Sequence, residues 1–134
     1  MTTTLEVRST QPVAFIDITG DVRREVRDAG VQDGVVVVYV PHTTAGVTIN
    51  ENADPTVRAD LAMALDRMVP GDLPFRHSEG NSDAHTKASL MGSSVTIPVQ
   101  RGDLLLGTWQ GVYFAEFDGP RRRRVSVTVL GARP

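Results

Sequence analysis

The sequence predicts an α+β domain built largely from antiparallel sheets, as a sandwich or half-barrel with two or three helices. Three observations carry this. Two helical patterns lie early, between Thr19 and Ala29 and between Pro55 and Val69, and a short one lies in the middle at Ala84 to Met91. The last forty or so residues alternate between strand-like runs and turns. A length of 134 residues allows one domain, 1–134, and is too short for a (β/α)₈ barrel, which needs about 250.

The elements follow in order. Leu5 to Arg8 and Val13 to Ile18 read as short strands, and with Gln11-Pro12 between them they predict an opening hairpin. Asp17 or Thr19 can cap the first helix, Val22, Val26 and Ala29 form its apolar stripe, and Gly30 suits its C-terminal cap. The β-branched run Val35 to Val40 predicts a central strand, covered on both faces or packed against a neighbouring subunit, and it leads directly into Pro41-His42-Thr43-Thr44. A short strand at Gly46 to Asn50 precedes Asp54-Pro55, an N-cap followed by proline at the first helical position. That helix should bury Val57, Leu61, Ala64 or Leu65, and Met68 before Pro70-Gly71 stops it. A polar loop to Asn81 follows, long enough to be functional, and Asp83 can cap the short helix that Gly92 ends. Ser94 to Pro98, Leu104 to Leu106, Val112 to Phe117 and Arg122 to Leu130 are the closing strands.

Composition removes several chemistries. There is no cysteine, so thiolate catalysis, disulfides and cysteine-held metals are absent, and any metal must use nitrogen or oxygen ligands. The net charge of −2 and the missing aromatic interleaving argue against a nucleic-acid partner. Arg121 to Arg124 enter an alternating strand, so their guanidiniums point to opposite faces and form no single basic patch. No apolar run reaches the roughly 20 residues of a membrane span, and the first residues lack a signal-peptide pattern, so no membrane association and a cytoplasmic location are expected.

Candidate site residues concentrate between positions 42 and 87. All three histidines, His42, His77 and His85, lie there, and so does Lys87, the only lysine among 14 basic residues. Imidazole is a neutral metal ligand and a base near pH 7, yet the spacing matches no helical two-ligand motif. Around them stand Glu51, Asn52 and Asp54, and the run from His77 to His85, which includes Glu79, Asn81 and Asp83. Such mixed groups can bind a divalent ion with a phosphate; Asp54 and Asp83 also serve simply as caps. Lys87 either neutralises an anion or is an exposed helix cation. Gly107-Thr108-Trp109-Gln110-Gly111 could offer a ring face and an amide to a heterocycle, or be a bulge with a packed tryptophan. Glu116, on an otherwise apolar strand, needs a partner: a metal, an arginine or a substrate amine. Arg101-Gly102-Asp103 reads as a turn.

The segments Pro41–Gly46, Ile49–Pro55, His77 with Gly80-Asn81 and Asp83–His85, Lys87–Ser94, Leu106–Gly111 and Glu116–Arg121 together resemble the YjbQ or UPF0047 family, known as secondary thiamine-phosphate synthase. The resemblance covers most of Val35 to Gly131. It implies a homotrimer with sheet-rich α+β subunits and polar pockets near the subunit boundaries. It also implies a small phosphorylated substrate, with a side activity that joins a pyrimidine methyl pyrophosphate to a thiazole phosphate and releases pyrophosphate. Carried onto this chain, it implies a divalent metal, Mg or Zn, at His42, His77 and His85, and catalytic roles for Glu51, His85 and Lys87. Substrate contacts would fall to Thr43, Thr44, Asn52, Asn81, Asp83, Trp109, Gln110 and Arg121. The rival readings are a trimeric binding protein for a metal or phosphorylated metabolite with incidental catalysis, and a metal-dependent hydrolase.

Overall fold

The computed structural model describes residues 1–134. Eight strands and three helices follow one another as β1 (Thr2–Arg8), β2 (Ala14–Asp17), α1 (Thr19–Ala29), β3 (Asp33–Tyr39), β4 (Ala45–Glu51), α2 (Pro55–Met68), α3 (Ser82–Met91), β5 (Ser94–Gln100), β6 (Asp103–Leu104), β7 (Gln110–Glu116) and β8 (Arg122–Ala132). One sheet has the order β1-β8-β3-β5-β6 and the other β2-β7-β4, and every pairing is antiparallel. The class is the α+β, sheet-rich one that the pattern predicts.

Alternation builds the core. Val36 and Val38 of β3, Ile97 and Val99 of β5 and Val125, Val127 and Val129 of β8 face Val47, Val112 and Phe114 of the smaller sheet. The stripe Val22, Val26 and Ala29 lays α1 against this layer, and Gly30, at φ 70°, ends the helix in the left-handed region that glycine enters freely. A second cluster, with Phe15, Tyr113, Ala115 and Phe117, packs the outer face of the small sheet against Ala84 and Ala88 of α3 and the half-buried Leu61, Ala62 and Leu65 of α2.

Four expectations change. The opening hairpin does not form: β1 pairs with β8 and β2 with β7, so the intervening link crosses from one sheet to the other, held where the Ser9 amide donates to the Arg121 carbonyl at 3.0 Å. β3 is central, between β8 and β5, but within the chain it is covered on one face only, since Val35 and Val37 are half-buried and Tyr39 is exposed, which removes the reading with both faces covered and leaves that of packing against a neighbouring subunit. No residue of α2 is fully buried; Met68 is 67% exposed because the helix rests on the sheet by one narrow edge. Finally, Asn81 rather than Asp83 occupies the N-cap of α3, without a side-chain cap bond, which puts Asp83 in the first turn where its charge complements the helix dipole.

Candidate functional site

Three strand ends and one helix meet at the rim of the sandwich. The chain leaves β3 through Val40 and Pro41, presents His42 and Thr43, and turns back into β4 at Thr44, which is buried. The β7–β8 turn brings Asp118 and Arg121 beside it, and the start of α3 brings Asn81 and His85. Together Pro41, His42, Thr43, Thr44, Glu79, Asn81, His85, Asp118, Arg121 and Arg123 line a predominantly polar cleft of about 320 Å³. An adjoining cavity of about 490 Å³ shares His42, Thr43 and His85 and adds Ser89, Gly92 and Ser93. His85 thus borders both, and it also borders a third, shallower cavity with Phe75 and His77.

Beneath the cleft lies a buried ion pair. Glu116 and Arg123 are 0% and 2% exposed. Arg123 Nε donates to both Glu116 oxygens at 2.9 and 3.2 Å, its Nη2 donates to Glu116 Oε2, and the same Nη2 donates to Thr44 Oγ1 at 2.8 Å. Ser9 Oγ at 2.7 Å and the Asp118 amide at 3.0 Å complete the carboxylate's partners. Burial pushes the Glu116 carboxyl up, but the hydrogen bonds from Arg123, Ser9 and the Asp118 amide outweigh it and hold the group below its ordinary value. The partner that Glu116 requires is therefore an arginine.

Arg123 in turn shapes His42. The backbone N–H of Arg124 donates to His42 Nε2 at 2.9 Å, so that nitrogen carries the lone pair and the ring proton sits on Nδ1. Burial first, then the charges of Arg123 and Arg124, lower the pKa of His42, so the ring is held neutral. Across the cleft, Asn81 Nδ2 and Arg121 Nη2 each donate to Asp118 Oδ2 at 2.9 Å, and Arg121 Nε donates to the Asp118 carbonyl at 2.9 Å. Asn81 Oδ1 is buried and unpartnered, an acceptor left free at the wall.

Of the sequence candidates, the cleft unites His42, Thr43, Thr44, Asn81, His85 and Arg121. His77 stands just outside, its ring edge-to-face with His85 at 5.4 Å and its Nε2 3.9 Å from Glu79. Lys87 does not face an anion site and is not an exposed cation. Two residues past His85 on a helix is about 200° around the axis, and there its ammonium is buried against α2, 3.2 Å from Asp66 Oδ1 and 3.8 Å from Asp83 Oδ2. Asp83 belongs to the same latch. Glu51, Asn52, Trp109 and Gln110 lie at the far end of the β4–β7 ladder: Ala45 pairs with Glu116 while Glu51 pairs with Gln110, about 20 Å along the strand. There the Asn52 amide donates to the Trp109 carbonyl at 2.9 Å, Gln110 Oε1 accepts from the Gly107 amide at 2.8 Å, and Trp109 is 64% exposed rather than packed in a bulge.

The three histidines do not fit a divalent ion. His42 Nε2 is engaged by a backbone donor, the other two rings meet edge to face instead of converging, and no group of three or more histidine and acidic side chains is placed to hold a metal. The sequence pattern singles out neither Asp118 nor Arg123. The usable signal for Arg123 was the alternation of Arg121 to Arg124, which sends only one of the middle pair inward.

Comparison with known proteins agrees with this architecture. The model of the family described as UPF0047 protein YjbQ-like matches residues 3–132. A UPF0047 protein of Methanocaldococcus jannaschii is 50% identical over 126 residues, covering 94% of this chain and 91% of the relative, and UPF0047 protein YugU of Bacillus subtilis is 46% identical over 132 residues, covering 98% and 100%. A crystal structure of a YjbQ/UPF0047 family protein from Clostridium acetobutylicum superposes with a TM-score of 0.94 at 52% identity over 96% of this chain and 99% of that one. A Sulfolobus solfataricus protein described as of unknown function gives 0.95 at 28% identity over 98% and 97%. With this fold and these relatives, the chain belongs to the YjbQ-like UPF0047 family.

Proposed function

We propose that the rim cleft binds a small phosphorylated metabolite and acts on it as a transferase of the thiamine-phosphate synthase type. The observation that carries the reading is the convergence of His42, Asn81, His85 and Arg121 in one cleft of about 320 Å³ whose lining is predominantly polar. Phosphate oxygens need directed donors, and a guanidinium plus an Nδ1–H imidazole supply them. In the reaction, a thiazole nitrogen attacks the pyrimidine methylene carbon. The carbon–oxygen bond breaks, and its electron pair leaves with pyrophosphate. Arg121 and His42 would stabilise the departing charge, Asn81 Oδ1 would accept from a ring amine, and His85 would exchange protons with the leaving group. No step uses a metal site of the protein.

Glu51, Asn52, Trp109 and Gln110 can reach a cleft only on another copy. The reading therefore includes a homotrimer in which one subunit's β4–β7 end approaches its neighbour's rim; the exposed Trp109 and the half-covered β3 face support it. The alternative, a binding protein with incidental catalysis, predicts affinity without turnover. Purified protein supplied with both thiamine precursors and Mg²⁺ should form thiamine phosphate well above a His85→Ala control. Equal formation by the two would refute the transferase reading.

A further inference from the structure

A second polar cavity lies where the C-terminal end of α1 meets the β5–β6 turn. It measures about 360 Å³ and is lined by Arg23, Arg27, Gln32, Arg101 and Asp103, with Val26 and Val31 at its back. It is separate from the histidine cleft, because β5 runs from Ser94, next to the Ser93 that lines the histidine cavity, to Gln100 at this one, about 20 Å away.

The charges there do not cancel. Asp103 Oδ1 accepts from Arg23 Nε at 2.7 Å and from the Leu104 amide at 2.8 Å, so one carboxylate is committed to one guanidinium. Arg27 and Arg101 form no ion pair with any carboxylate. Arg27 also complements the C-terminal dipole of α1, which absorbs part of one charge, while Arg101 has no carboxylate within 4 Å.

Arg101 has a backbone reason to be noticed. It is the one non-glycine residue at positive φ, 55°, a region that costs a side-chain-bearing residue energy and that asparagine or glycine enters more easily. The turn is the two-residue loop between the paired Gln100 and Asp103, and it is tied to the α1–β3 link where the Gly102 amide donates to the Gln32 carbonyl at 3.0 Å; neither contact depends on what side chain stands at 101. Turn chemistry therefore does not call for arginine; a guanidinium at the cavity mouth does.

We infer that the Arg23–Arg27–Arg101 cavity is a second ligand site, which takes a small phosphate-bearing anion. Planar guanidinium forks match phosphate oxygens in pairs, and Gln32 adds an amide donor. The volume exceeds what a bare phosphate fills and lies in the range of small-molecule sites, so a phosphate ester or a pyrophosphate both fit. The inference does not depend on the function proposed for the histidine cleft.

The test is an amide NMR titration of the intact chain with inorganic pyrophosphate and, separately, with phenyl phosphate, at constant ionic strength. The Gly30, Gln32 and Gly102 amides should shift and saturate. Arg27→Gln/Arg101→Gln should weaken binding at these amides by roughly tenfold or more, with amides around His42 and Asn81 behaving as in the parent. Tighter binding of phenyl phosphate assigns an organic ester, and tighter binding of pyrophosphate a polyphosphate. Absent shifts, equal shifts with sodium chloride, or an unchanged affinity in the double variant would overturn the inference, whatever the histidine cleft does.

Discussion

Replacing Glu116 by glutamine keeps its shape and removes its charge. In the parent, the carboxylate is 0% exposed and accepts from Ser9, the Asp118 amide and Arg123. The glutamine can still accept through one oxygen, but its amide points a donor at a guanidinium that is 2% exposed. An uncompensated buried charge of this kind costs about 3–5 kcal/mol, a large share of the roughly 5–15 kcal/mol that holds a domain together. In urea unfolding at pH 7, with a slope of about 2 kcal/mol per molar, the midpoint should fall by about 2 M. The pH dependence follows from the lowered pKa. The unfolded chain protonates Glu116 more readily than the folded one, so its stabilisation is complete above the ordinary glutamate value of about 4.3 and is lost as pH falls through the folded value. Glu116→Gln should lack that acid loss. Removing both charges, in Glu116→Leu/Arg123→Met, should recover part of the deficit, because no buried charge is left unpaired, although the Asp118 amide and Thr44 Oγ1 each lose a hydrogen-bond partner. A single variant within 1 kcal/mol of the parent, or a double variant no better than the single, would refute the reasoning.

Other consequences are equally concrete. Because His42 is held neutral by burial and by Arg123 and Arg124, protonation favours the unfolded chain, and stability should decline as pH drops below about 6.5; nitrogen NMR should show an Nδ1–H ring, and His42→Asn should flatten that slope. Lys87→Ala should destabilise by about 2–3 kcal/mol and speed amide exchange in α2 and α3, with Lys87→Met milder. Neither should alter phosphate binding in the cleft, and a selective binding defect would return Lys87 to the site. Gly46→Ala would place a Cβ 2.5 Å from the Gly92 carbonyl, forcing α3 away from β4; a loss of about 1–3 kcal/mol is expected by calorimetry, with a displaced His85 resonance.

The legible part of the fold was the local part. Gly30, the Val22–Val26–Ala29 stripe, the Asp54-Pro55 helix start and the β-branched β3 each express a rule that acts within a few residues, and each stands where the pattern puts it. What failed needed a partner far along the chain. β1 lies beside β8, 126 residues away at Thr2 and Thr128, and nothing between Leu5 and Ile18 encodes that choice over a hairpin. The site divides the same way. His42 and Thr44 follow from their position at the end of β3, and His85 and Asn81 from the start of α3. The separation of Trp109 and Gln110 from His42 depends on the β4–β7 register, and the burial of Lys87 depends on how α2 lies against α3. Residue type alone therefore grouped side chains that the fold holds about 20 Å apart.

The proposal that the cleft takes a phosphorylated ligand can be tested directly at its histidines. Titrating hydroxymethylpyrimidine pyrophosphate into the protein should move the ring resonances of His42 and His85 along saturable curves, and Arg121→Gln should weaken that response by about tenfold. Rings that stay still at millimolar ligand, or that move equally in Arg121→Gln, would contradict the assignment of this cleft as the phosphate-binding site.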